Sequence, residues 1–303
     1  MKLKRFVRRR IRLAVRRTVK PAAKRFVPRK IRPAVRRIYF FPTDALNYLL
    51  GRRDALTPPK GKIFHNPNAF KRVGNEFFRH FLNLGNLKPD ERVLEVGCGT
   101  GRMAVPLTSY LRNGGEYEGF DVIPEALEWC QENITSKYPN FRFQLADVYN
   151  KEYNPEGMRK ASEYEFPYED ESFDFVILTS VFTHMLPDEV ANYLSEIERV
   201  MKAGGRAMIT FFLLNRESLK LIESGMSVID FGYDFGVYRT KEKSTPEAAI
   251  AYREDFIRNL YEENGLKIGR VRYGSWCGRE GALSRQDIVV ARKPEPIRPS
   301  AVS

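Results

Sequence analysis

Acidic residues are missing from the start of this 303-residue chain: the first carboxylate is Asp44, while residues 1–37 hold 17 Lys and Arg. A segment with one sign of charge cannot pair internally, so its charge must be met by solvent or by an external anion. The rest of the chain carries 34 bases against 38 acids, so the net charge of +13 belongs to the tail. Cysteine is scarce as well. Cys98, Cys130 and Cys277 are scattered, which excludes a disulfide scaffold and a zinc cluster and fits a reducing compartment. No Cys–His arrangement supports thiol catalysis, and no His, Cys or acid grouping has metal-ligand spacing. No apolar run approaches the ~18 residues of a membrane span. The start also lacks the apolar core of a secretory signal. A cytoplasmic protein is expected, with its tail at a membrane surface.

The tail has internal order. Residues 5–17 and 25–37 agree at ten of thirteen positions. In the first copy Leu3, Phe6, Val7, Ile11, Ala14 and Val15 share one helical face opposite most of the arginines, which predicts a basic amphipathic helix over 3–19. Pro28 and Pro33 interrupt the second copy. Such a tail suits an anionic membrane surface, the preferred partner, where each base adds ~1 kcal/mol. It equally suits RNA held without sequence preference, a mitochondrial transit peptide, or a solvated extension. Residues 38–67 read as a connector or lid, with a short helix capped by Thr43 and ended by Gly51.

The chain is organised around Arg92-Val93-Leu94-Glu95-Val96-Gly97-Cys98-Gly99-Thr100-Gly101-Arg102. A short apolar run ends in three glycines, and a helical pattern (Met103, Val105, Leu107, Leu111) follows. Strand, glycine turn and helix together make a nucleotide cradle, because glycine permits positive φ and a close backbone approach. The spacing is Gly-x-Gly-x-Gly, not the dinucleotide-binding Gly-x-Gly-x-x-Gly. Glu95 beside the turn would repel a pyrophosphate but could hold an ammonium group. Cys98 is read as a small residue that fits the turn.

Downstream, strands are expected at 117–121, 141–145, 173–178, 206–213, 266–273 and 286–292. Helices are expected from Asn68 to Leu84, over 124–137, from Pro187 to Met201 with Ala203-Gly204-Gly205 as its stop, and over 246–265. Asp121 closes the second strand 20 residues after Gly101, where an acid binds ribose hydroxyls; a turn or helix-capping aspartate is the alternative. The fourth strand continues into Thr179-Ser180-Val181-Phe182-Thr183-His184-Met185, whose start should open onto the reaction site. His184 suits a general base by its near-neutral titration, or a packing and hydrogen-bonding role. Residues 214–246 interleave glycines with aromatics, and so long an excursion suggests function. Trp276 and Arg279 sit in a turn-rich loop, facing an acceptor pocket or, for Trp276, the core.

The stretch Val-Leu-Glu-Val-Gly-Cys-Gly-Thr-Gly-Arg resembles motif I of the class I S-adenosylmethionine-dependent methyltransferases, and later segments extend the resemblance over roughly 68–293. It implies an α/β, Rossmann-like, seven-stranded and mostly parallel sheet with helices on both faces and an antiparallel last strand. It implies S-adenosylmethionine as cofactor, held by Glu95, Gly97, Cys98, Gly99, Thr100, Gly101, Asp121, Val122, Ile123, Asp147, Val148 and Thr179. Asp121 would bind the ribose, and Val122 and Ile123 would lie beside the adenine. Asp147 would accept from the adenine amine, unless it is a solvated loop acid. It implies that residues upstream of the first strand form a lid and that 214–246 caps the acceptor, with 294–303 a tail.

Methyl transfer needs alignment and, for a hydroxyl acceptor, proton removal; it needs no metal. Thr179-Ser180-Val181-Phe182 stands where an Asn-Pro-Pro-Tyr motif would signal methylation of nucleic-acid amino groups. The preferred expectation is O-methylation of a small-molecule, sugar or lipid-linked acceptor. An RNA-directed methyltransferase and a non-catalytic cofactor-binding scaffold are the alternatives.

Overall fold

The computed structural model describes residues 32–63, 66–151 and 153–296. The helix expected over 3–19 lies outside them. The first described element, helix α1 (Arg32–Leu49), runs through the expected boundary at residue 37, so tail and connector share one helix. Pro33 falls in its opening turn, where a missing N–H costs nothing, and Pro42 is carried inside it. Thr43 is therefore an interior residue and not a cap.

Helix α2 (Phe70–Asn83) buries Phe70, Phe77 and Phe81 along one face. Strand β1 (Arg92–Val96) leads through the glycine turn to the single turn of α3 (Ala104–Leu107). Strand β2 (Glu116–Asp121), helix α4 (Pro124–Cys130) and strand β3 (Phe141–Leu145) follow. Helix α4 widens into a π turn over Gln131–Thr135, short of the expected end at 137. Strand β4 (Phe173–Leu178), helix α5 (Pro187–Val200) and strand β5 (Met201–Phe211) complete the parallel half. Ala203-Gly204-Gly205 does not form a separate stop. Gly204 takes a positive φ inside β5, and its N–H donates to Lys293.

The main sheet is ordered β10-β11-β5-β4-β1-β2-β3, with β10 (Lys267–Arg272) at one edge. The pairs around β1, β2, β3, β4 and β5 are parallel, whereas β11 (Asp287–Arg292) runs antiparallel to both neighbours. This is the predicted seven-stranded architecture. Strands buried on both faces read as continuous apolar runs, as in Phe175-Val176-Ile177-Leu178. One apolar layer joins α2, α3 and α4 to the sheet, and another joins α5 and α7 (Glu254–Glu263) to its other face.

The excursion after β5 is structured. Strands β6 (Leu213–Leu214), β7 (Tyr233–Asp234), β8 (Tyr238–Thr240) and β9 (Ile250–Arg253) form a second, small sheet, with α6 (Arg216–Glu223) between β6 and β7. The helix expected over 246–265 begins only at Glu254, because Ile250–Arg253 pairs with β8 and β6. Trp276 is fully buried against Phe212 and Phe231, so its side chain is core. Its ring N–H and the Leu213 N–H both donate to Asp287 Oδ2 at 2.7 Å, and the Gly274 N–H donates to Oδ1 at 2.6 Å. Arg279 lies over the Tyr273 ring and 3.6 Å from Asp287. Neither Trp276 nor Arg279 faces the site.

Asp287 thus ties the main sheet to the small one. Asp287→Ala would leave three buried donors without an acceptor and take away one of the two carboxylates beside Arg279, the other being Glu217. It should lower unfolding free energy by about 3 kcal/mol or more, read as a shifted urea midpoint at constant slope. Asp287→Asn, which keeps an acceptor oxygen, should cost less.

Candidate functional site

The C-terminal ends of β1, β2 and β4 open into one cavity, where an open parallel sheet places its ligands. Gly97, Gly99 and Gly101 all have positive φ, which side chains resist. Their reasons differ. A Cβ on Gly97 would meet Val181 Cγ2 at 2.4 Å, and one on Gly101 would meet Ile134 Cδ1 at 2.7 Å. Those two glycines serve packing. A Cβ on Gly99 would meet nothing nearer than Asp121 Oδ2 at 4.0 Å, so its bare backbone faces the open cavity.

Asp121 is held from both sides of the turn. The Gly99 N–H donates to its Oδ2 at 2.7 Å and the Ile123 N–H to its Oδ1 at 3.0 Å. Each oxygen keeps a lone pair for a ligand hydroxyl. Burial pushes the Asp121 carboxyl above its ordinary range, against the pull of those amide donors. Glu95 lies deeper, on β1, and accepts from the Tyr117 hydroxyl at 2.5 Å. Burial pushes its carboxyl up to about 8, and the charge of Asp121 adds to the push. The Tyr117 hydrogen bond and the Arg102 charge oppose it. Burial therefore lets Glu95 keep its proton well above the usual carboxylate range.

Past β4, Ser180 adopts φ 65°, the left-handed region unusual for a side chain. Its N–H donates to Thr210 Oγ1 and its hydroxyl to Gln286 Oε1, both at 2.8 Å. These bonds fix the strand end against β5 and against the residue that leads into β11. A short turn then carries His184 into the cavity wall. His184 Nδ1 lies 2.7 Å from the Glu247 carbonyl oxygen, which can only accept, so Nδ1 carries the hydrogen. In the neutral imidazole Nε2 is then the acceptor nitrogen; it lies 3.5 Å from the Tyr153 hydroxyl.

Of the predicted residues, Glu95, Gly97, Cys98, Gly99, Thr100, Asp121, Val122, Ile123, Val148, Thr179 and His184 all line the cavity. Two stand outside that wall. Gly101 packs beneath α4. Asp147 is exposed, and the Met158 N–H donates to its Oδ1 at 3.1 Å, so the wall there is formed by Val148. Sequence reasoning missed Phe70, Arg102, Tyr149, Asn150, Tyr153 and Ser180. Arg102 and Ser180 directly follow motif residues and were within reach; the polar loop around Tyr153 carries no periodic signal. The excursion 214–246 contributes none of the described lining residues. The small sheet instead buttresses the site: Tyr252 donates its hydroxyl to the Met185 carbonyl, and Lys151 donates to Ser244. Among the described residues no group of side chains could hold a metal, and no helix is long and apolar enough to cross a membrane.

Residues 94–209 match the family described as a methyltransferase domain. The chain is 24% identical over 139 residues to a probable cobalt-precorrin-6B C(15)-methyltransferase (decarboxylating) of Thermoplasma acidophilum, covering 45% of this chain and 58% of that protein. It is 31% identical over 121 residues to a demethylmenaquinone methyltransferase of Lactiplantibacillus plantarum, covering 40% and 45%. The similarity thus spans about half the length of these curated relatives. The PH0226 protein of Pyrococcus horikoshii OT3 shares the fold, with a TM-score of 0.51 at 16% identity over 74% of this chain and 91% of that one. The matched segment runs from the glycine turn to β5 within a seven-stranded sheet of this order. Residues 94–209 thus match a methyltransferase domain, in keeping with the resemblance of the glycine turn to motif I of the class I S-adenosylmethionine-dependent methyltransferases.

The Glu95 carboxyl titrates higher folded than unfolded, so the folded state retains its proton longer. Its contribution to stability is full below the usual carboxylate range and is lost as pH rises toward about 8. Glu95→Gln should match the parent near pH 4.5 in the unliganded protein. Above that pH the variant should gain relative stability at up to about 1.4 kcal/mol per pH unit, levelling off past pH 8. Thermal melts across a pH series check this, and a pH-independent difference would refute it.

Proposed function

We propose that this chain transfers a methyl group from S-adenosylmethionine to a hydroxyl of a small-molecule, sugar or lipid-linked acceptor. One observation carries the cofactor half: a side-chain-free Gly99 faces Asp121, with Glu95 behind them, in a single cavity at the strand ends. The residues fit the group. Asp121 would accept from the two ribose hydroxyls while its amide donors keep it in place. Val122, Ile123 and Val148 supply apolar wall for an adenine. Glu95 would yield its proton to become the counter-charge of the amino acid's ammonium, and Arg102 in the same wall suits its carboxylate. Asp147 would act at one remove, by holding the loop that follows Val148. The bound cofactor supplies an electrophilic methyl on a sulfonium.

The acceptor half rests on His184. Its ring is positioned through the Glu247 carbonyl, which makes Nε2 the acceptor in the neutral imidazole, and the residue lines the cavity. A base so placed can take the proton of an acceptor hydroxyl as that oxygen attacks. Tyr153, near the same nitrogen, would orient the hydroxyl. The two relatives named above act on small molecules by their names. Those names supply no acceptor here, and the position of the methyl in the product decides between oxygen and carbon.

Calorimetric titration should give micromolar S-adenosylmethionine binding that weakens at least tenfold in Asp121→Ala, about 1.4 kcal/mol. No binding by the folded parent would sink the reading. With an acceptor in hand, His184→Gln should leave cofactor affinity within about twofold and lower kcat by about 10²-fold or more. An unchanged kcat would remove His184 from the chemistry.

A further inference from the structure

Helix α1 is amphipathic in the inverse sense. Its polar side faces the protein: Arg37 pairs with Glu125 at 2.6 Å, and Asp44 accepts from the Lys60 and Gly61 N–H groups at 2.8 and 3.0 Å. Its apolar side faces out. Ile38 is 74% exposed, Tyr39 75%, Leu46 52% and Leu49 79%, with Leu50 exposed just beyond the helix. Positions 35, 38, 39, 46, 49 and 50 follow helical spacing, so these side chains form one continuous stripe. An outward apolar stripe of this length is costly in water and marks a surface made to be covered.

We propose that the outward face of α1 seats this protein on an anionic lipid surface. The charge of the chain selects that occupant. The 31 residues before α1 contain 14 Lys and Arg and no acid. A second copy laid on the stripe would bring two such segments together, like charge against like. An anionic bilayer offers hydrocarbon to the stripe and negative charge to the residues before it. Tyr39 and Tyr48, both exposed, have the apolar ring and polar tip that favour the headgroup boundary. The attachment also sets where the site lies. Arg37 grips Glu125, two residues beyond Ile123 in the cavity wall, so α1 docks beside the pocket. Lipid docking does not depend on the methyltransferase reading, because it is measured without turnover.

The test is co-sedimentation of the full chain with vesicles of phosphatidylcholine alone or mixed with phosphatidylglycerol. The parent should bind the mixed vesicles and bind pure phosphatidylcholine at least tenfold more weakly. Ile38→Glu combined with Leu49→Glu should lose at least tenfold in affinity for mixed vesicles, with an unchanged melting temperature. Ile38→Ser with Leu49→Ser is a second pair that should lose affinity in the same direction. If both pairs bind like the parent, the basic segment acts alone and the assignment of α1 is overturned. It is likewise overturned if the parent ignores vesicles and forms a dimer that the double variants dissociate, since the stripe is then an interface between copies.

Discussion

The carboxylate of Asp121 is the joint on which the site depends. Strands β1 and β2 run parallel and in register, Glu95 beside Gly119 and Val96 beside Phe120. Beyond them the chain must turn while keeping its amides hydrogen-bonded. The Phe120 carbonyl takes the Gly97 and Cys98 N–H groups, and Asp121 takes the next free one, that of Gly99. A single acid therefore stabilises the turn after one strand and begins the turn after its neighbour. Cys98 is the small residue such packing demands, since its Cβ sits 3.0 Å from where a side chain on Gly119 would begin.

The two halves of the site are made of different materials. The cofactor half is backbone and buried acid, drawn from two adjacent strands and their turns. The acceptor half is side chains from the end of β4, the loop after β3 and, at one remove, the small sheet. That second half is held by contacts between distant parts of the chain: Ser180 to Gln286, His184 to Glu247, Tyr252 to Met185. Such contacts can be rebuilt without disturbing the glycine turn. One fold can then keep its cofactor and change what it modifies.

The same division explains what could be read from the residues. Runs such as Phe173–Leu178 and the glycine turn are local patterns, and together with the resemblance they carry they yielded the mostly parallel sheet and most of the cavity wall. Ala249, Ile250, Tyr252 and Phe256 have helical spacing, but over 250–253 pairing with β6 and β8 overrides that pattern. Thr43 reads as a helix cap, yet α1 runs through it with Pro42 inside, because one lost hydrogen bond on an exposed helix is tolerable. Asp147 matched by position, yet its carboxylate is engaged by a nearby amide that no spacing rule reveals. Tyr153 owes its place to tertiary contacts alone.

The insertion between β5 and β11 bears on how this chain reaches its fold. Phe211 pairs with Asp287, so the main sheet closes only after a long intervening segment has been brought round. The entropy of closing a loop grows with its length, and pairings remote in sequence are slow to form. The small sheet shortens that journey. Once β6 lies beside β9, and Tyr252 accompanies Leu213, most of the segment is folded back on itself and the ends to be joined are already near. The appendage that supports the acceptor side thus also serves as an internal splint for assembly of the central sheet.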